Sequence, residues 1–233
     1  MVVLLFVLGL VIGSFLGALT YRLPRDLDMV ADRSRCPNCK KVIVWYDNIP
    51  LLSYIFLRGR CGNCKQKISF RYPVIEFATA VAFVFVGLNI INLFVVTVLI
   101  IIFVIDLEHQ IIPDELVFLG LLAAILNSPT IFSSLLAGLL AANLLLFLNL
   151  ITKGKGMGLG DVKLAIFIGA IIGMKLIFVW ILFSFVVGAL IGIILIVAGE
   201  ASLKQRIAFG PFLIIGFLMV NLFGQNFLNW IGI

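Results

Sequence analysis

Two acidic stretches break an otherwise oily chain. "IDLEHQIIPDE" (105–115) gathers four acidic side chains and the only histidine between long runs of Ile, Leu, Val and Phe. "GMGLGD" (156–161) places Asp161 directly after a glycine-rich segment that opens another apolar run. Charged groups within membrane segments are costly and mark function. Asp106 closes one apolar helix and Asp161 begins another. Gly158 and Gly160 let backbone and partner helices approach closely, and a helix N-terminus favours a carboxylate. Taken alone, Asp161 reads as a helix cap. Paired with Asp106 it reads as half of a dyad. Two carboxylates in a partly desolvated site share one proton. The ionised member can take a proton from an attacking water while the other donates to a peptide carbonyl oxygen, as in aspartic proteases.

Rival chemistries lack their parts. A Ser-His-Asp triad has no G-x-S-x-G beside His109, and there is no H-E-x-x-H, P-loop or G-x-G-x-x-G. His109 reads as a surface or supporting residue. Glu108, Asp114 and Glu115 are expected at the membrane interface, with Asp114 a cap of the helix after Pro113. Glu76 follows "RYP" at the start of a span, where a carboxylate needs a partner. Lys163 is expected to tune the dyad or to pair with Glu76.

The four cysteines form two C-x-x-C pairs, Cys36–Cys39 and Cys61–Cys64. That spacing, with basic flanks that favour thiolate, suits a tetrahedral zinc site of the ribbon type. Four protein ligands close the site, so its role is structural. Two disulfides or redox pairs are the alternatives, and a cytoplasmic, reducing location disfavours disulfides. A loop of about 50 residues builds little core, and a metal clip is a physical remedy.

The elements that position these groups follow from composition. The chain has 233 residues, 63% of them hydrophobic, against about 45–50% in a soluble globule. Its mean hydropathy is +1.25. This is an all-α polytopic membrane protein. The first 25 residues lack a basic lead and carry a long apolar run, so they read as a retained helix rather than a signal peptide. Apolar segments fall at 2–21, 74–88, 92–105, 114–127, 131–152, 161–173, 176–199 and 208–231. The run 74–105 would be about 48 Å long as one helix, too long for a core about 30 Å thick, and "GLNIIN" (87–92) offers a turn. "GMK" (173–175) breaks the next long run. Eight spans then result. Eleven of 17 Lys and Arg lie between Arg22 and Arg71. Such residues mark cytoplasmic loops rather than a nucleic-acid surface. With 22–73 inside, sixteen of 17 basic residues are cytoplasmic. The expected organisation is a first transmembrane helix (1–21), a cytoplasmic zinc-binding loop (22–73) and a seven-helix membrane domain (74–233). Two spans separate Asp106 from Asp161, so both begin at one membrane surface.

These motifs together resemble the type IV prepilin peptidases, membrane aspartic proteases with a G-x-G-D motif. The resemblance runs through "GSFLGALTYRLP" (13–24), "CPNC", "NIPLLSYIFLRGRCGNC" (48–64), "RYPVIEF" (71–77), "IDLEHQIIPDELV" (105–117), "GMGLGDVKLA" (156–165) and "FGPFL" (209–213). It implies an enzyme of the bacterial inner membrane that removes the basic leader of prepilins or pseudopilins at the cytoplasmic face. It also implies N-methylation of the new N-terminus with S-adenosylmethionine. Asp106 and Asp161 match the family's catalytic pair, and the four cysteines match its zinc ligands. Gly17 stands where an asparagine is common, and Ala208 replaces a proline. No residues mark a methyl-donor pocket. A presenilin-like protease, a secondary transporter using the two acids, and a zinc-dependent scaffold are the competing readings. The cytoplasmic cysteine loop argues against the first. The placement of both acids at one face argues against the second. The scaffold leaves the paired acids unexplained.

Overall fold

The computed structural model describes residues 1–25, 34–154, 156–199 and 207–231. Among these the chain is helical, with no β-structure beyond two isolated bridges. The long helices are α1 (Val2–Arg22), α3 (Arg71–Val86), α4 (Ile90–His109), α5 (Asp114–Asn127), α6 (Ile131–Ile151), α7 (Leu159–Ile172), α8 (Ile177–Val197) and α9 (Gly210–Ile231). A short α2 (Leu52–Phe56) lies between the cysteine pairs. Gly87 and Gly173, with φ of 76° and 77°, end α3 and α7 in a backbone region that glycine enters freely. The two long apolar runs therefore break near the expected turns.

Five segments are long and apolar enough to cross a membrane: Val2–Arg25, Ile90–His109, Ile131–Ile151, Met174–Val197 and Gly210–Trp230. The protein is thus a multi-pass membrane protein. Helices α3, α5 and α7 have 16, 14 and 14 residues. At 1.5 Å per residue each falls short of a core about 30 Å thick.

The chain divides into two compact units, 1–101 and 102–233. In the first, α1 and α3 pack through small residues. Gly9, Gly13 and Gly17 recur every fourth residue and face Ala80, Glu76 and Tyr72. A Cβ on Gly9 would lie 2.5 Å from the Ala80 Cα, and one on Gly13 would lie 2.7 Å from the Glu76 Cα. Lipid tails are as apolar as leucine, so close backbone approach replaces the hydrophobic effect as the glue between such helices. Arg71 adds polar ties, donating to the Gly17 carbonyl at 2.8 Å and to Thr20 Oγ1 at 2.7 Å.

The second unit repeats the device. Gly138 of α6 meets the Ile166 carbonyl of α7, and Gly169 of α7 meets Ala141 of α6, each at 2.6 Å from an added Cβ. Gly120 of α5 accommodates the Phe167 ring. Helices α8 and α9 are joined by the buried Trp180, whose Nε1–H donates to the Leu213 carbonyl at 2.9 Å.

Candidate active site and metal centre

Asp106 lies in the last turn of α4, three residues before its end rather than at it. Gln110, at φ 56°, stops the helix by donating its N–H to the Asp106 carbonyl at 2.9 Å. The chain then runs through Ile112 to Pro113, which precedes α5. The Asp106 side chain is buried, 4% exposed. Among the described residues its Oδ2 has no hydrogen-bond partner, although the backbone of Gly210 at the start of α9 faces it. A Cβ on Gly210 would stand 2.5 Å from that oxygen.

Asp161 is the third residue of α7 and is 6% exposed. Gly158, not Asp161, occupies the N-cap position. The Asp161 Oδ2 reaches back to accept the Gly158 N–H at 3.0 Å, so the expected cap becomes a brace on the glycine loop. Asp161 lies within electrostatic range of Asp106. Gly160 is seated on Ile112, where an added Cβ would meet the Ile112 Cβ at 3.3 Å, whereas an added Cβ on Gly158 would meet only the Asp161 Oδ2 at 3.5 Å and the Gly160 nitrogen. The same Ile112 side chain lies 3.3 Å from an added Cβ on Gly210. One isoleucine thus fits beneath the starts of both α7 and α9. The site is built from one helix C-terminus and two helix N-termini, and N-termini favour carboxylates.

Asn149 of α6 is buried and donates to the Met157 carbonyl at 2.6 Å, tying down the loop that carries Gly158. Sequence reasoning passed over Asn149, Ile112 and Gly210 as site residues. An amide within an apolar helix was the available signal for Asn149. For Gly210 it was the Gly-Pro start of a helix.

Lys163 has a partner that the sequence does not announce. Its Nζ pairs with Asp114 at 2.7 Å, so the cation is committed to the start of α5. Pro113 holds the N-cap position, and Asp114 is the first helical residue and exposed. Glu76, in the first unit, is buried and takes its partner from the backbone: Oε2 accepts the Leu51 N–H at 2.8 Å. His109 is half-buried, with Nε2 4.0 Å from the Glu108 carboxylate and, among the described residues, no hydrogen bond at that nitrogen.

The cysteines form two copies of one knuckle. The Lys40 and Lys65 N–H groups donate to the Cys36 and Cys61 carbonyls, both lysines at positive φ. Each knuckle's asparagine points its amide at the other's sulfur, Asn38 to Cys64 and Asn63 to Cys39. All four Sγ atoms lie within 4.8 Å of one another, and Cys36 and Cys64 are 3.8 Å apart. Tetrahedral zinc with bonds of about 2.3 Å needs sulfurs about 3.8 Å apart, so the quartet fits the ion. The Lys41 N–H draws the Cys39 thiol down to about 7, and the Cys64 and Asn63 N–H groups lower Cys61. At Cys36 the Cys39 N–H pulls downward, but burial and the neighbouring sulfurs hold the thiol up at about 11. A bound cation would favour thiolate at all four.

The molecule thus combines a helical membrane architecture, a four-cysteine cluster and two buried aspartates in one compact unit, and comparison with known proteins makes it a membrane peptidase. Residues 7–90 match the bacterial peptidase A24 N-terminal domain, and residues 93–193 match the type IV leader peptidase family. A prepilin leader peptidase/N-methyltransferase of Bacillus subtilis is 36% identical over 99% of this chain and 97% of its own. Those of Aeromonas hydrophila and Legionella pneumophila are 33% and 35% identical, over 97% and 95% of this chain and 92% and 91% of theirs. No solved structure matches. The chain belongs to the type IV leader peptidase family.

Proposed function

We propose that this peptidase removes the leader from prepilins or pseudopilins, with Asp106 and Asp161 as its catalytic pair. The observation that carries the reading is the placement of both carboxylates, buried, at helix ends of one compact unit. Two helices, α5 and α6, lie between them in sequence. If both cross the bilayer, the acids share one surface. Counting α3, α5 and α7 as crossings gives eight spans, and the positive-inside rule puts that surface in the cytoplasm, at the bacterial inner membrane.

The pair holds one proton. The ionised carboxylate takes a proton from water as its oxygen attacks the scissile carbonyl. The protonated carboxyl donates to the carbonyl oxygen, and the C–N bond then breaks as the leaving amine is protonated. A prepilin carries a basic leader ahead of an apolar helix, so its scissile bond reaches the membrane surface where the acids stand. The Gly158 N–H orients Asp161, and the Gly210 backbone bounds the space beside Asp106.

The names of the relatives support a second activity, methylation of the new N-terminus from S-adenosylmethionine. It follows cleavage, because the acceptor amine exists only afterwards. Zinc at Cys36, Cys39, Cys61 and Cys64 holds the two knuckles together.

The test is mass spectrometry of a model prepilin incubated with detergent-solubilised protein, with and without S-adenosylmethionine. Asp106→Asn and Asp161→Asn should each lower cleavage by about 10³-fold or more while insertion and zinc content persist. Cleavage retained by either variant sinks the dyad. A methyl mass that appears only with S-adenosylmethionine supports the second step.

A further inference from the structure

The segment 34–70 buries a single residue, Cys36. It nevertheless presents large apolar side chains outward. On α2, Leu52, Ile55 and Phe56 fall at the i, i+3, i+4 spacing of one helix face and are 52%, 67% and 81% exposed. Trp45, just before, is 79% exposed. A water-facing loop has no use for such a face.

The position of α2 along the membrane helices explains it. Leu51, which precedes α2, donates its N–H to Glu76. Glu76 is five residues into α3, about 7.5 Å past Arg71. It packs on Gly13 of α1, and Gly13 lies nine residues before Arg22, about 13.5 Å along a membrane span. At the other end of the segment, the Tyr54 ring meets Phe70, the residue before α3, edge to face. The start of α2 is therefore fastened well inside the ends of α1 and α3, so the helix cannot stand off in water.

We infer that α2 is an interfacial helix whose Leu52, Ile55 and Phe56 face lies in the headgroup–acyl boundary of an anionic bilayer. Charge supports that occupant. From Pro50 to Phe70 the chain carries Arg58, Arg60, Lys65 and Lys67 and no acid. Such residues reach anionic headgroups while the apolar face inserts, and exposed Trp and Tyr settle at the same depth. A basic leader peptide would be repelled by the same surface. The zinc knuckle backs the helix: Gly62 is seated against Asp47 and Leu57, on either side of α2.

The test places a photoreactive phenylalanine analogue at Phe56 of the full, zinc-loaded protein in vesicles of phosphatidylglycerol and phosphatidylethanolamine. The same probe at exposed Gln66 gives the background. After illumination, intact-mass spectrometry should show a phospholipid adduct at Phe56 several-fold above that at Gln66, richer in phosphatidylglycerol than the vesicles are. Equal adducts at the two sites, or none at Phe56, overturn the inference. So does an adduct that passes from lipid to added prepilin, which would assign the face to substrate. The readout needs no peptidase activity.

Discussion

Asp106 and Gly210 stand so close that any side chain at position 210 would occupy the carboxylate's place. An alanine Cβ would lie 2.5 Å from the Asp106 Oδ2 and 3.2 Å from its Cγ. The obstructed atom ends a short side chain, so the helices need not part; the carboxylate moves instead. Gly210→Ala is therefore expected to leave thermal stability in detergent nearly unchanged and to lower prepilin cleavage by about 10²-fold, the cost of misplacing a reacting group by about 1 Å. Wild-type cleavage by a folded Gly210→Ala protein would remove this backbone from the site.

Lys163 gives the opposite expectation. Its partner is Asp114, and both side chains are about half exposed or more. Exposed pairs of this kind contribute about 0–1 kcal/mol. Lys163→Met should cost no more than that in unfolding experiments. It should leave the pH profile of kcat/KM in place, because the ammonium is committed to α5. A displaced profile would restore Lys163 to the electrostatics of the dyad.

What could be read from sequence divides along a physical line. The long helices and their breaks at Gly87 and Gly173 follow from runs of apolar residues and from local backbone chemistry. The cysteine quartet follows from spacing alone. The candidacy of Asp106 and Asp161 follows from the cost of charge in an apolar chain. What sequence missed depends on contacts between distant residues. Lys163 stands two residues from Asp161, yet packing gives it to Asp114. Gly210 is 104 positions from Asp106, and nothing local announces their meeting. The apolar run stops at Asp106, but α4 runs on to His109 because polar residues extend a helix past its apolar run. Helix α2 was invisible within a loop read for its metal ligands.

The glycines of α1 make a prediction of another kind. Gly9 and Gly13 lie against the backbone of Ala80 and Glu76, which cannot swing aside as a side chain can. Gly13→Val should force α1 and α3 apart and destabilise the first unit by about 1–3 kcal/mol, the usual cost of overpacking. Arg71 would then lose its bonds to Gly17 and Thr20. Thermal unfolding in detergent, with proteolysis to locate the loosened segment, checks this. Unchanged stability would show that the α1–α3 packing is looser than the structure has it.

Removing zinc should unfold the two knuckles rather than the molecule. The four sulfurs lie within 4.8 Å of one another, and without a cation the two knuckles meet through weak thiol and amide contacts and the Lys41–Asn63 hydrogen bond. Only Cys36 is buried between residues 34 and 70, so no apolar core takes the ion's place. The isolated bridges Arg35–Val42 and Arg60–Lys67 are too short to hold alone. Cys61→Ser, or a strong chelator, should therefore abolish zinc binding and open the two knuckles, 34–44 and 58–68, to protease, while α2 stays fastened through Leu51 to Glu76. The unit 102–233 carries both aspartates and contains none of the cysteines, so its protection should persist. Metal analysis beside limited proteolysis and peptide mapping reads both effects. A metal-free protein that keeps 34–44 and 58–68 protected would mean that contacts other than the ion hold the knuckles.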